Sequence, residues 1–127
     1  MMNQSLIAWN VRGLGVPDKR ARVKGILRRS CATIVALTET KWNVYSRQLI
    51  ASVGGSRSAK WMAKDVVNSK GGIAIFWEEA DFELLDTWEG KFSLAIRLKP
   101  AGVNDIFAVM VVYGPQKKDG KLAFINE

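Results

Sequence analysis

Three polar residues of this sequence follow apolar stretches and carry side chains that could take part in chemistry. Asn10 comes after residues 6–9, Glu39 follows residues 33–37 closely, and Tyr113 ends the apolar run 106–113. A carboxylate or an amide supplies the oxygen ligands that Mg²⁺ prefers, and a phenolic hydroxyl donates a hydrogen bond to an anionic oxygen. Each residue alone also has an ordinary interpretation, as a turn asparagine, a solvated glutamate or a core tyrosine.

Residue types argue against several other kinds of site. The sequence has no histidine and only one cysteine, Cys31, so an intrachain disulfide is excluded and a nucleophilic thiol would lack its usual base. We therefore expect Cys31 to be a small core or boundary residue. The segment 13–15 (Gly-Leu-Gly) resembles a dinucleotide-binding turn, but Asp18 stands where the third glycine belongs, and its carboxylate would repel a pyrophosphate.

The pattern of apolar residues predicts the elements that position Asn10 and Glu39. It predicts a strand over residues 6–9, a helix from Pro17 to about residue 30, and a second strand over residues 33–37. A strand, a helix and a strand in close succession are typical of a βαβ-like unit with adjacent strands. Both polar residues would then stand at strand ends.

The remainder of the sequence predicts mostly strands in antiparallel hairpins. A second helix is expected over residues 46–53, ending at the glycine pair 54–55. Strands are expected at residues 59–63, 72–77, 82–88, 93–98 and 106–113, with a turn at 100–105 and a further element starting at 122–125.

Positive charge is concentrated near the N-terminus. The net charge is +7, and residues 1–30 hold seven basic residues against Asp18 alone. Arg20, Lys24 and Arg28 form an i, i+4, i+8 stripe on the first helix, apart from an apolar face of Val23, Ile26 and Leu27. Such a cluster suits a phosphate-rich partner, although a solvated helix face would look the same.

Length and hydropathy indicate one intracellular globular domain. The chain has 127 residues, and its longest apolar run is eight residues, too short for a membrane-spanning helix. The first residues lack the features of a signal peptide. We expect the protein in the nucleus or cytoplasm, without a membrane partner.

Four segments, in order, resemble motifs of the endonuclease/exonuclease/phosphatase family. They are residues 9–14 (Trp-Asn-Val-Arg-Gly-Leu), 37–41 (Leu-Thr-Glu-Thr-Lys), 71–77 (Gly-Gly-Ile-Ala-Ile-Phe-Trp) and 112–115 (Val-Tyr-Gly-Pro). Each segment alone is a weak signal, but four in order across nearly the whole chain are specific. Their wording is most similar to the endonuclease domains of plant LINE-type retrotransposons and their domesticated relatives.

The resemblance implies a magnesium-dependent phosphodiesterase that acts on DNA. It implies that Glu39 and Asn10 bind the metal, that Tyr113 and Asn10 are catalytic, and that Arg12 and Lys41 bring positive charge to the same site. With the basic stripe, the implied nucleic-acid-binding residues are Arg12, Arg20, Lys24, Arg28 and Lys41. The implied fold is α/β (α+β), a partial four-layer sandwich of the deoxyribonuclease-I type, whose N-terminal sheet has helices on one face.

Other motifs of the family are missing. The family has a later Gly-Asp-Phe-Asn segment and an Asp–His pair that activates or positions water, and neither occurs in this sequence. We therefore expect residues 1–127 to form a truncated domain that does not cleave phosphodiesters by itself. The second half of the family fold would supply the other sheet. An uncovered sheet face would then invite self-association or a partner that completes the domain.

Two alternatives remain open at this point. One is a non-catalytic, basic nucleic-acid-binding module, which the N-terminal charge alone would explain. The other is a fragment of a family member that acts on phosphoinositides or sphingolipids. Trp9, Trp77 and Trp88 are interpreted as core or sheet packing rather than as platforms for base stacking.

Overall fold

The computed structural model describes residues 5–42, 44–67, 70–91, 93–113 and 122–126. The elements are β1 (Leu6–Asn10), α1 (Pro17–Ser30), β2 (Ile34–Thr38), α2 (Arg47–Ser52), β3 (Ala59–Val67), β4 (Lys70–Glu78), β5 (Phe82–Gly90), β6 (Ser93–Pro100), β7 (Phe107–Tyr113) and β8 (Leu122–Asn126). The chain forms two compact units, Met1–Glu79 and Ala80–Glu127. Each unit contains one four-stranded sheet.

The sheet of the first unit has the strand order β1-β2-β4-β3. β1 and β2 are parallel and joined by α1, as the βαβ-like prediction requires. β4 runs antiparallel to β2, and Thr38 at the end of β2 pairs with Ile73 near the start of β4. The last residues of β1 and β2 and the first residues of β4 therefore meet at one edge of the sheet.

Both helices pack on the same face of this sheet, which confirms that part of the predicted fold. The core cluster combines residues of α1, α2, β2, β3 and β4 with the segments that follow β1, β2 and α2. Its buried members are Val11, Leu14, Val23, Leu27, Val35, Leu37, Trp42, Ile50, Val53, Ala59 and Phe76. This packing anchors the two loops that follow the parallel strands.

Helix α1 has its predicted boundaries, but two side chains depart from their predicted places. Pro17 occupies the first turn with Asp18, and Val23 and Leu27 are buried. Ile26 is 43% exposed, because it lies at the margin of the stripe that Val23 and Leu27 define. Cys31 is exposed rather than in the core or at its boundary, because it caps the C-terminus of α1 in a left-handed conformation.

The second unit is an antiparallel sheet in the order β5-β6-β7-β8. Along β6, Leu94, Ile96 and Leu98 are buried whereas Arg97 is exposed, which is the predicted period of two. The mixed α+β class is confirmed. The expectation that a second sheet must come from other residues is wrong, because strands β5 to β8 form one within this chain.

The three tryptophans singled out above differ in burial. Trp9 packs partly buried against the core cluster, and Trp77 is 2% exposed, as predicted. Trp88 is 56% exposed, so the packing interpretation is wrong there. Its strand places it opposite Ala95, on the face of the second sheet that carries Arg97 rather than on the buried face.

Candidate metal and phosphate site at the ends of β1 and β2

Asn10 and Glu39 are in direct contact at the edge where the parallel strands end. Asn10 pairs with Thr38, which places Glu39 one residue beyond the end of β2. The Asn10 Nδ2 amide donates a hydrogen bond of 2.6 Å to Glu39 Oε2. The two predicted site residues, 29 positions apart in sequence, are thus brought together by the pairing of β1 with β2.

The Asn10 side chain is fixed from its other end as well. The backbone N–H of Arg12 donates to Asn10 Oδ1 over 3.1 Å, so both ends of the amide are engaged. The contact with Asn10 uses one of the two Glu39 carboxylate oxygens.

Left-handed backbone is concentrated at this edge. Arg12, Glu39 and Lys41 have φ of 54°, 55° and 60°, and they are three of the four non-glycine residues with positive φ in the described ranges. Such conformations cost on the order of 1–3 kcal/mol each and persist only where the surroundings enforce them. The site is therefore held by its neighbours rather than by the local preference of its residues.

Backbone hydrogen bonds extend the pairing of β1 and β2 beyond the strands. The N–H groups of Val11 and Gly13 donate to the carbonyls of Thr38 and Glu39 over 3.0 and 2.6 Å. Leu14 N–H donates to the Thr40 carbonyl over 3.0 Å. The two loops are thus joined on both sides of the Asn10–Glu39 contact.

The start of β4 holds the same loop from its other side. Thr40 and Lys41 N–H groups donate to the Gly72 and Gly71 carbonyls over 3.2 and 2.9 Å. Gly71 and Gly72 have φ of 87° and 95°, which explains the glycine pair in the third motif. That pair is therefore structural support for the Glu39 loop.

Basic side chains flank the pair. Arg12 and Lys41 are exposed, and the Lys41 stem passes beside Gly13, where an added Cβ would lie 3.3 Å from Lys41 Cδ. Lys19 Nζ donates to the Arg12 carbonyl over 3.3 Å. The structure thus places the two predicted basic residues on the loops that hold Asn10 and Glu39, and their binding roles remain predictions.

The three residues of the basic stripe of α1 differ in their contacts and in their exposure. The Arg20 guanidinium donates to the Leu14 carbonyl over 2.8 Å and ties the first loop to the helix. Lys24 is half-buried, and Arg28 is exposed. Sequence patterns give no signal for the Arg20 contact, because its acceptor is a backbone carbonyl.

Tyr113 ends β7 in the second unit. Its side chain lies outside the described residues, as do Gly114 and Pro115 of the fourth motif. The predicted role of Tyr113 therefore stays a prediction.

The residues at this edge fit a magnesium ion in chemical type. Within the described ranges, no group of three or more His, Cys, Asp or Glu side chains could hold a metal. The Glu39 carboxylate is nonetheless a suitable ligand, because Mg²⁺ is usually bound through one or two carboxylates and completes its shell with waters and substrate phosphate oxygens. The ion would be held by Glu39, with Asn10 beside it.

Comparison by sequence gives no relative: no family model matches, and no curated protein matches. Solved structures do match. AP endonuclease LMAP from Leishmania major superposes with a TM-score of 0.62 at 18% identity, over 87% of this chain and 40% of that one. ANGEL2, a 2′,3′-cyclic phosphatase in complex with adenosine-2′,3′-vanadate, gives 0.58 at 14% identity, over 84% and 40%. The APE2 catalytic domain of Xenopus laevis gives 0.51 at 13% identity, over 95% and 42%.

These similarities establish the fold. It is a fold of the endonuclease/exonuclease/phosphatase type. The chain spans about two fifths of the length of the structures it matches. Neither helix in the described part of the chain is long and apolar enough to cross a membrane.

Proposed function

We propose that this chain is the N-terminal part of a magnesium-dependent phosphodiesterase domain that acts on nucleic acid. The observation that carries the proposal is the Asn10–Glu39 hydrogen bond at the ends of two parallel strands, in a fold of this type. The matched structures include an AP endonuclease and a 2′,3′-cyclic phosphatase, and both names denote chemistry on phosphate esters.

The residues of the chain would divide the work as follows. Glu39 would hold the cation, and Asn10 would keep the Glu39 carboxylate oriented. Because Asn10 is a neutral amide, it would add no negative charge to a site that binds an anionic substrate. A bound Mg²⁺ would polarise a phosphoryl oxygen as a Lewis acid. Arg12 and Lys41 would attract the substrate, and the Tyr113 hydroxyl would donate to a phosphate oxygen.

The finer assignment is an endonuclease domain of plant LINE retrotransposon type, with DNA as its substrate and a nuclear or cytoplasmic location. It is supported by the wording of the first two motifs and by the concentration of basic residues before position 30. The same charge favours nucleic acid over a phosphoinositide or sphingolipid substrate.

The chain by itself is proposed to be inactive. It has no histidine and no Gly-Asp-Phe-Asn segment, and residues that act as a catalytic unit lose most of their effect when one is absent. Nicked, abasic and plasmid DNA should therefore remain uncut with Mg²⁺.

Binding of a nicked or abasic duplex, with and without Mg²⁺, tests the proposal. We expect Mg²⁺ to strengthen binding by the wild-type chain but not by Glu39→Gln, whereas Glu83→Gln on β5 should behave as wild type. Magnesium-independent binding by all three proteins would contradict a metal site at Glu39.

That contrary result would instead favour the second candidate, a non-catalytic nucleic-acid-binding module. Exposed basic residues on α1 support this candidate. It predicts a steep loss of affinity with salt, because phosphate contacts release counterions. We expect the double variant Lys24→Glu/Arg28→Glu to lose more nucleic-acid affinity than the charge-matched double variant Arg22→Glu/Arg29→Glu.

A further inference from the structure

Thr40 is the most fully enclosed polar residue beside the candidate site. Its side chain is 0% exposed, and it lies between Glu39 and Lys41, the two left-handed residues of the loop. Its backbone joins two other segments, because its N–H donates to the Gly72 carbonyl and its own carbonyl accepts from Leu14. Thr40 therefore connects the β1 loop with the start of β4.

The Thr40 hydroxyl makes the third connection. Its Oγ1 lies 2.6 Å from the Tyr45 hydroxyl, and the Trp42 N–H points to it over 3.4 Å. The ring of Tyr45 packs edge-on against Trp42 at 5.6 Å between centroids, and Trp42 belongs to the core cluster. The hydroxyl pair therefore links the Glu39 loop to the buried core.

Gly72 provides the space for this pair. A Cβ added there would lie 2.5 Å from Thr40 Oγ1 and 3.2 Å from the Tyr45 hydroxyl. A side chain at position 72 would therefore force Thr40 Oγ1 to move from its present position. The glycine of β4 and the Thr40–Tyr45 pair therefore form one arrangement.

We propose that Thr40, through its hydrogen bond with Tyr45, is the positioning residue that holds Glu39 in its left-handed conformation against Asn10. This inference rests on the proposed function, because it assigns Thr40 to the support of the Glu39 cation ligand. Side chains that support metal ligands typically change metal affinity by about 10- to 100-fold when removed. Loss of the Thr40 hydroxyl should therefore weaken cation binding without unfolding the chain.

Thr38 provides a matched control on the other side of Glu39. It is 1% exposed, and within the described residues its Oγ1 has no hydrogen-bond partner. Thr38→Val and Thr40→Val each replace a buried hydroxyl with a methyl group of similar size. Only the second variant breaks hydrogen bonds, those of Thr40 Oγ1 with the Tyr45 hydroxyl and the Trp42 N–H. Tyr45→Phe removes the first of these alone and so reports the contact between the two hydroxyls.

The test measures two properties of the wild-type chain, Thr40→Val, Thr38→Val and Tyr45→Phe. The first is the NMR position of the Asn10 side-chain amide, with Glu39→Ala as the reference for a lost contact. The second is Mn²⁺ affinity. We expect Thr40→Val and Tyr45→Phe to shift the amide toward the reference and to weaken Mn²⁺ binding at least about tenfold, with Thr38→Val unchanged.

Two outcomes would overturn the positioning role. One is an Asn10 amide that stays at its wild-type position in both Thr40→Val and Tyr45→Phe. The other is an equal shift in Thr38→Val. If Thr40→Val does not fold, Tyr45→Phe decides. A wild-type chain that binds no Mn²⁺ would contradict the proposed function, and the Asn10 resonances would still decide whether Thr40 positions Glu39.

Discussion

At the scale of single residues, the choice of an amide at position 10 has a direct electrostatic consequence. Asn10 donates to a carboxylate 2.6 Å away, so a second carboxylate in its place would replace an attraction with a repulsion. The same repulsion would be relieved by a divalent cation. The residue type at position 10 therefore offers a test of the pair that does not depend on enzyme activity.

Asn10→Asp should lower the free energy of unfolding by about 1–3 kcal/mol at neutral pH in the presence of EDTA, because a hydrogen bond is lost and two like charges meet. Mg²⁺ should restore part of that loss. Chemical denaturation with EDTA and with Mg²⁺ measures both effects, and Asn104→Asp in the exposed turn after β6 is the control. A loss that Mg²⁺ leaves unchanged would argue against a cation at this position.

A second residue-scale feature is the exposed ion pair between β5 and β6. Arg97 Nε and Nη2 donate to the two Asp86 carboxylate oxygens, each over 2.8 Å. These hydrogen bonds lower the pKa of Asp86 and raise that of Arg97. The pKa of Asp86 is lower in the folded chain than in the unfolded chain. The ion pair therefore stabilises the folded chain at pH values above the unfolded pKa of about 4.

The difference in stability between wild type and Asp86→Asn should therefore be present at neutral pH and disappear as the pH falls through the lowered pKa of Asp86. Arg97→Gln should show the same pH dependence, since it breaks the same pair. Urea denaturation across the acid range measures it. A difference that persists unchanged at the most acidic pH where the chain stays folded would contradict the assignment.

At the scale of elements, the start of β4 is under a tight steric constraint. Gly72 has φ of 95°, and an added Cβ would meet Thr40 Oγ1 at 2.5 Å and Lys41 N at 3.1 Å. Gly102, in the turn after β6, has φ of 81° but no atom within 4 Å of an added Cβ. The two glycines share the left-handed backbone and differ in their surroundings.

Gly102→Ala should cost about 1–2 kcal/mol of unfolding free energy, the price of a left-handed alanine. Gly72→Ala should cost about 1–3 kcal/mol more, because the clash with the Glu39 loop is added. Thermal or chemical denaturation of both variants gives the comparison. Equal losses of unfolding free energy in the two variants would mean that the loop relaxes freely around a methyl group. That result would contradict the tight packing of Gly72 against Thr40.

Most elements could be predicted from the sequence, because their patterns are local. The apolar runs of β1 and β2, Pro17 at the start of α1 and the alternation along β6 each carry their own signal. The left-handed conformations of Glu39 and Lys41 carry none, because non-glycine residues adopt them only where hydrogen bonds from other segments enforce them. For Asn10 and Glu39 the sequence predicts only that both stand at the ends of adjacent strands, and it does not predict the hydrogen bond between their side chains.

The predictions that are wrong also concern features that depend on contacts between distant segments of the chain. Residue type and spacing predict packed positions for Trp88 and Ile26, but the placement of a side chain depends on which face its element turns inward. The strand order, with β4 between β2 and β3, depends on long-range pairing. Thr40 was part of a motif, yet its support of Glu39 depends on Tyr45 and Gly72.

At the scale of the whole molecule, the two units differ in the candidate functional residues that they contain. The first carries Asn10, Glu39 and the concentrated basic charge, and the second carries Tyr113 and the exposed Trp88. The matched structures are more than twice as long as the chain. We therefore expect the first unit to bind the cation, and we expect no catalysis by the chain alone.

The most direct test of this account is where a divalent cation binds. Paramagnetic Mn²⁺ broadens the NMR signals of nearby nuclei, so titration into the isotopically labelled chain locates the ion. We expect selective broadening of the backbone amides at residues 10–13 and 38–41, which is lost in Glu39→Gln and retained in Glu83→Gln. Broadening centred elsewhere, or unchanged in Glu39→Gln, would contradict a metal site built on Asn10 and Glu39.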